Sequence, residues 1–190
     1  MLKKLIKKSR FQLGQNLEFV LRDKDGNVKQ LFNENRFALF VRKHFGIKLP
    51  KLAIFGQYAD SMLISNLVTN AGFAGVASRL NGAGSEAAFT YIAIGTGTNA
   101  AAVGDTALQT EITTNGGARA SATASRVTTD VTNDTAQLVV TFNFTGSFAV
   151  TESGVLNAAS SGVLLARQVF SAINVASGDS LQITWKFDID

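Results

Sequence analysis

The sequence predicts a mainly β protein: an antiparallel, jelly-roll-like β-sandwich preceded by a basic arm, a hairpin and two helices. Two observations predict this fold. Beyond residue 84, apolar and polar residues alternate over several runs. Clusters of Gly, Asn, Asp and Ser separate those runs at short intervals. Because an antiparallel sheet with one apolar face needs a second layer to cover it, we expect the strands to form two packed sheets.

The composition suits a folded domain and narrows the chemistry. A chain of 190 residues, 46% of them hydrophobic, is long enough to bury a substantial core. The absence of cysteine excludes disulfides, thiolate nucleophiles and thiolate metal ligands. A single histidine, His44, rules out a multi-histidine metal site and argues against a histidine-based triad. No run of eighteen apolar residues occurs, so a membrane span is not expected.

Charge is distributed unevenly along the chain. Through Lys51 there are thirteen Lys and Arg against four Asp and Glu, a balance of +9, whereas the remainder holds five against ten, a balance of −5. Electrostatic attachment is therefore expected of the N-terminal segment. The predicted docking arm consists of basic residues separated by apolar ones: Lys3, Lys4, Lys7, Lys8 and Arg10.

Three interpretations of this arm stay open. It is a solvated tail, a contact with nucleic acid or membrane, or a peg that docks on a partner subunit. No aromatic residues alternate with the lysines as they do in a base-stacking platform, so nucleic acid is the weaker partner.

The remainder of residues 1–60 predicts an α+β docking segment. Apolar runs at 17–21 and 28–32 flank Asp25-Gly26, which predicts a short hairpin. A helix is expected from Asn33 onward, capped by Asn33 or Asn35 and ended by Gly46. Its apolar residues fall at helical spacing on one face: Phe37, Phe40, Val41, His44 and Phe45.

A second helix is predicted over 61–80, within a connecting segment of residues 61–84. Apolar residues recur there at helical spacing, and Asn81-Gly82 supplies a stop. Gly72 and Gly75 weaken this helix, and they either permit close packing or mark a kink.

The predicted sandwich covers residues 85–190. Candidate strands lie at 91–94, 118–131 and 137–145. The C-terminal run has the clearest alternation, with Trp185 on its apolar side, which is typical of a half-buried antiparallel strand.

Two patterns invite a chemical interpretation. Gly95, Gly97 and Ala100 spell the G-x-G-x-x-A turn of a dinucleotide site directly after a strand. The residues that follow are too short and broken for a crossover helix, so we interpret the turn as a glycine corner. Paired carboxylates are the second possibility, but the sequence does not pair the available ones, which are Glu86, Asp105, Glu111 and Glu152. We therefore predict no catalytic, cofactor-binding or metal-binding residues.

Two segments of the chain resemble structural proteins of tailed bacteriophages. The first contains NLVTNAGFAGVAS (66–78), YIAIGTGT (91–98) and DTALQTEI (105–112). The second contains VTESGVLNA (150–158), GVLLARQVF (162–170) and GDSLQITWKF (178–187). Together they lie within residues 66–190, about two thirds of the chain.

This resemblance implies a non-enzymatic component of the virion, in the tail or neck or on the capsid surface. It implies other virion structural proteins as partners. Strands rich in Ala, Ser and Thr, such as 118–131, offer small side chains for tight contacts between subunits, so we expect a homo-oligomer, either a trimer or a larger symmetric ring. We expect no cofactor and no membrane contact. The alternative is a receptor- or carbohydrate-binding module of a phage fibre, because loops of a β-sandwich often carry recognition.

Overall fold

The computed structural model describes residues 13–45 and 47–189. These residues form thirteen strands and two helices. In chain order they are β1 (Leu13–Arg22), β2 (Val28–Lys29), β3 (Leu31–Glu34), α1 (Arg36–Phe45), β4 (Gly56–Ala59), β5 (Met62–Ile64), β6 (Leu67–Val68), α2 (Asn70–Asn81), β7 (Tyr91–Gly95), β8 (Ala120–Ser121), β9 (Thr123–Val127), β10 (Thr135–Asn143), β11 (Phe148–Leu156), β12 (Leu164–Val175) and β13 (Ser180–Ile189).

The strands form two large antiparallel sheets and one small one. The first large sheet has the order β2-β1-β13-β10-β9, with β5 also paired to β1. The second has the order β6-β12-β11-β7-β8, and β3 pairs with β4 in a separate two-stranded sheet. The prediction of a mainly β, antiparallel sandwich with two helices is confirmed.

The main hydrophobic core lies between the two large sheets. Alternate residues of β13 point into it, and Trp185 at the centre of this strand is fully buried. The Trp185 indole donates a hydrogen bond to Ser153 Oγ on the opposite sheet at 3.2 Å. The rings of Phe19 on β1 and Phe170 on β12 meet at 4.4 Å between centroids. The predicted inward face of the last strand is therefore confirmed from Leu181 to Phe187, whereas the last apolar residue of this face, Ile189, is exposed.

The sandwich also contains residues that the sequence placed in the N-terminal segment. All ten residues of β1 pair with β13, and Leu17 and Phe19 are fully buried. The first large sheet thus begins at Leu13, not at residue 85. Local alternation does not reveal a pairing between strands so far apart in the chain.

The predicted hairpin forms only in part. Leu21 pairs with Lys29 and Arg22 with Val28 around the Asp25-Gly26 turn. Residues 31–34 then leave this partner as β3 and pair with β4. The second arm of the hairpin is therefore shorter than the predicted 28–32.

The prediction of a helix over 61–80 is wrong in its first part, which forms β5 and β6. The helix α2 begins only after Thr69, whose Oγ1 accepts a hydrogen bond from Gly72 N at 2.9 Å and donates one to Leu164 O at 2.6 Å. The predicted stop is confirmed, since Gly82 caps the helix with φ of 70°. A side chain at Gly72 would overlap the backbone of Leu165 on β12, so this glycine permits close packing.

The first helix has the expected cap and an unexpected orientation. Asn35 Oδ1 accepts a hydrogen bond from Ala38 N at 3.0 Å, which confirms Asn35 as the cap. Gly46, the predicted stop, lies outside the described residues. The predicted apolar face is turned outward: Phe37, Phe40 and Phe45 are each more than half exposed, whereas Ala38 is buried.

Candidate functional site

The glycine turn follows β7 and leads into a loop that returns to the same strand. Thr96 N donates to Thr110 O at 2.9 Å, and Ile112 N donates to Ile94 O at 2.9 Å. The loop therefore closes on itself over residues 96–112. The strand over 91–94 and the corner after it are as the sequence predicts, because a buried strand runs to Gly95 and no helix follows before residue 120.

The carboxylate of Glu152, on the neighbouring strand β11, lies under this corner. Glu152 is fully buried and accepts backbone hydrogen bonds from Gly97 at 3.1 Å, Gln109 at 3.0 Å and Thr110 at 2.7 Å. Backbone N–H groups that converge on an anion are the feature that makes a glycine turn a phosphate cradle. Here the anion is a side chain of the protein itself.

The two glycines of the motif are required by this carboxylate. A Cβ atom at Gly97 would lie 2.5 Å from Glu152 Oε1 and 2.6 Å from the Cβ of Gln109, closer than real contacts allow. A Cβ atom at Gly95 would overlap the same carboxylate oxygen. The spacing that resembles a dinucleotide turn is thus explained by close approach of the backbone to Glu152.

Arg167 on β12 balances the buried charge of Glu152. Its Nε lies 2.8 Å from Glu152 Oε2, and its Nη1 lies 2.8 Å from Asp105 Oδ2. Its Nη2 also donates to Asn99 O at 3.2 Å. Arg167 is only 2% exposed. Charge-assisted hydrogen bonds of this kind are about twice as strong as neutral ones. We call Glu152, Arg167 and Asp105 the buried clamp.

A second ion pair fixes the far end of the same loop. Arg119 makes two hydrogen bonds to Glu111, from Nε at 2.9 Å and from Nη2 at 2.7 Å. Its Nη1 donates to Ala158 O at 2.9 Å and to Ser161 O at 2.8 Å. The loop is therefore attached at both ends to β11, β12 and the turn between them.

The structure brings together only part of the carboxylate set identified in the sequence. Glu152 and Asp105 share Arg167, whereas Glu111 pairs with Arg119. Glu86 accepts a hydrogen bond from Ser78, which lowers the pKa of Glu86. Sequence reasoning missed the two arginines. Arg167 could have been found as the one charge in an apolar run, LLARQVF.

The side chains of the buried clamp are arranged to hold a loop in place. A general base or nucleophile needs access to a substrate. The oxygens of Glu152 instead face three backbone donors and a guanidinium, and the residue has no exposed surface. This arrangement can fix a loop, and it does not present the Glu152 carboxylate to solvent.

The outward face of α1 is a second feature of functional interest. The exposed fractions of Phe37, Phe40 and Phe45 are 59%, 51% and 65%. The rings of Phe40 and Phe45 lie 6.1 Å apart, and the Phe37 ring stacks on Phe55 at 6.3 Å. We call Phe37, Phe40, Phe45 and Phe55 the aromatic face.

The predicted docking arm, Lys3, Lys4, Lys7, Lys8 and Arg10, lies outside the described residues. Within residues 13–45 and 47–189, no three His, Asp or Glu side chains are grouped to hold a metal ion. Neither helix in those ranges has the length and apolar character needed to cross a bilayer.

No protein family, curated protein or solved structure was found to match this chain.

Proposed function

We propose that this protein is a non-enzymatic structural component of a bacteriophage virion, in the tail or neck or on the capsid surface. In this role it self-associates and docks on other virion proteins. The observation that carries the proposal is the buried clamp. The motifs that resemble virion proteins contribute Gly95, Gly97, Asp105, Glu152 and Arg167, and all five meet at this one structural feature.

The clamp gives the sandwich a property that a particle component needs. Its hydrogen bonds join β11 and β12 to a loop of residues 96–111 that contains little regular structure of its own. A loop without such attachments opens locally at low free-energy cost. Fixing it keeps the surface of the sandwich constant in shape, as repeated contacts between subunits require.

The exposed aromatic face supports the self-association and docking part of the proposal. Large exposed apolar patches on a folded domain usually mark interaction surfaces. The first large sheet also ends in β9, of which Thr123, Ala124, Ser125 and Arg126 are exposed. An edge strand of this kind can accept a further strand unless another chain covers it.

The alternative, a carbohydrate- or receptor-binding module, has less support. Sugar sites most often stack the ligand on exposed tryptophan or tyrosine rings. Trp185, the single tryptophan, is fully buried and stacks on Phe187 at 5.8 Å inside the core. Of the two tyrosines, Tyr58 is 54% exposed and Tyr91 is packed against a small buried cluster.

The proposal is tested on phage particles. They are produced in cells that carry a phage genome containing the gene for this protein. Particles are purified by density gradient, and their proteins are quantified by mass spectrometry. We expect this chain in the particle band at a fixed ratio to the other particle proteins. A gene deletion that leaves particle composition, morphology and infectivity unchanged would contradict the proposal. So would a chain that stays in the soluble fraction while particles form.

A further inference from the structure

The helix α1 is amphipathic, but its orientation is the reverse of the usual one. A surface helix normally turns its apolar stripe toward the core. In α1, Phe37 and Phe40 point to solvent, whereas Ala38 is buried and Arg42 is largely buried. This inversion concentrates aromatic side chains on the outside of the protein.

Polar contacts hold the helix in this orientation. The Arg42 Nε lies 3.0 Å from Glu34 Oε2, and both side chains are largely buried. Arg42 also donates a long hydrogen bond to Val169 O on β12 at 3.5 Å. Burial lowers the pKa of Arg42, and Glu34 opposes that shift. The Asn35 cap further fixes the start of the helix, and its Nδ2 donates to Ile54 O at 2.7 Å. The aromatic face is therefore preorganised.

The surroundings of the aromatic face are basic. Residues 36–55 contain five Lys and Arg and no Asp or Glu. A partner surface that complements the aromatic face would be apolar and flanked by carboxylates, because like charges placed across an interface are unfavourable. Two aromatic faces placed against each other would bring two such basic segments together. Charge therefore argues against a symmetric pairing of α1 with α1.

A surface with the required chemistry exists elsewhere on the same chain. The exposed fractions of Val131 and Ile189 are 69% and 49%. Carboxylates of Asp130, Asp134 and Asp188 accompany them. We call these five residues the acidic corner.

Hydrogen bonds make the acidic corner one rigid surface. Thr135 Oγ1 lies 3.0 Å from Asp134 Oδ1 and 2.9 Å from Asp188 Oδ1, so its single hydroxyl hydrogen is within reach of both carboxylates and bonds one at a time. Asp134 Oδ2 accepts backbone hydrogen bonds from Asp130 at 2.9 Å and Val131 at 2.6 Å. The loop that carries Val131 is thus fixed next to the end of β13.

We propose that the aromatic face of one copy docks on the acidic corner of a second copy. This inference rests on the self-association in the proposed function and names the surfaces responsible. The two surfaces share no residue, because α1 contacts β3 and β12 whereas the corner belongs to the β9–β10 loop and the end of β13. Each copy can therefore use both at once. Head-to-tail contacts of this type close into rings or extend as filaments.

The test uses the full chain, sedimentation velocity and two double variants. The face variant is Phe37→Gln/Phe40→Gln, which replaces exposed rings with a good helix former. The corner variant is Asp130→Lys/Val131→Ser, which changes two exposed side chains and leaves the carboxylates of Asp134 and Asp188 in place. Leu80→Gln is the matched control, because Leu80 is 75% exposed on α2, outside both surfaces.

We expect the wild-type chain and Leu80→Gln to associate at about 100 µM in low salt, and each double variant to associate at least about tenfold more weakly. Raising NaCl from about 50 mM to about 500 mM should weaken the wild-type association. The decisive result is complementation. An equimolar mixture of the face and corner variants should form a one-to-one dimer, since each partner retains one intact surface.

Other outcomes overturn this inference and leave the virion location of the protein untouched, although a chain that stays monomeric would also remove self-association from the proposed function. Association that neither double variant weakens would assign self-association to another surface, such as the β9 edge. If the face variant no longer self-associates and its mixture with the corner variant forms no dimer, the contact would be a symmetric one between two copies of α1. The wild type could instead bind anionic phosphatidylglycerol vesicles and not self-associate. If the face variant then fails to bind these vesicles, the aromatic face would be assigned to a membrane. A wild-type chain that stays monomeric, yet is found in purified particles, would assign docking to other proteins.

Discussion

Replacement of Arg167 by methionine tests the role of the buried clamp most directly. Methionine approximates the length of the arginine stem and carries no charge. The change removes a guanidinium that is 2% exposed, together with its hydrogen bonds to Glu152, Asp105 and Asn99. Glu152 keeps its three backbone donors and loses its charge partner.

The expected loss follows from this unpaired charge. Removing one partner of a buried ion pair typically costs about 3–5 kcal/mol, because the remaining charge stays desolvated. For a domain of this size, that corresponds to a fall in melting temperature of roughly 6–20 °C. Adding Glu152→Gln to Arg167→Met should recover part of the loss, since a neutral amide needs no counter-ion.

Trp185 provides the assay, because this single tryptophan is fully buried in the core and its fluorescence reports unfolding. Urea denaturation of the wild type, Arg167→Met and the double variant gives the free energies of unfolding. Arg126→Met is the control, since Arg126 is an exposed strand residue and should change stability by less than about 0.5 kcal/mol. An Arg167→Met loss no larger than that of Arg126→Met would refute the reasoning.

Three further predictions concern the glycine turn, the first helix and an acidic loop. Gly97→Ala should lower the free energy of unfolding by about 1–3 kcal/mol, because its Cβ would press on Glu152; Gly104→Ala, which has open space around it, should not. Asn35→Ala removes the cap of α1 and should cost the helix about 1 kcal/mol, seen as roughly fivefold faster amide hydrogen exchange confined to α1. Backbone donors from Val131 and Thr129 hold the pKa of Asp134 below its ordinary 3.8. Its ionised form therefore stabilises the fold above about pH 4, and this contribution is lost as the pH falls. Asp134→Asn should lower the melting temperature at pH 7 more than at pH 2.5, and an equal decrease at both pH values would contradict this assignment.

Much of the fold could be predicted because it depends on patterns of short range. The alternation in β13 determines which side chains face the core, and Gly82 determines where α2 ends. Prediction failed where distant residues decide the outcome. Residues 62–64 are apolar enough for a helix, yet they form β5 because β1 offers a partner edge.

The candidate site shows the same division. The turn at Gly95 and Gly97 could be recognised from its spelling, and the absence of a following helix argued against a nucleotide. Its actual ligand could not be predicted, because Glu152 lies 55 residues from Gly97 in the chain. The orientation of α1 could not be predicted either. Helical spacing shows that Phe37 and Phe40 share a face, but it does not show whether that face points to the core or to solvent.

The sequence by itself determined the class of the fold, the inward face of the last strand and the uneven distribution of charge. These properties follow from residue type and spacing, which are local. Only the tertiary structure decided that β1 belongs to the sandwich, that Glu152 fills the glycine corner and that α1 turns its phenylalanines outward. Each of these depends on which distant groups meet, because a buried charge needs its partner and a strand needs a free edge.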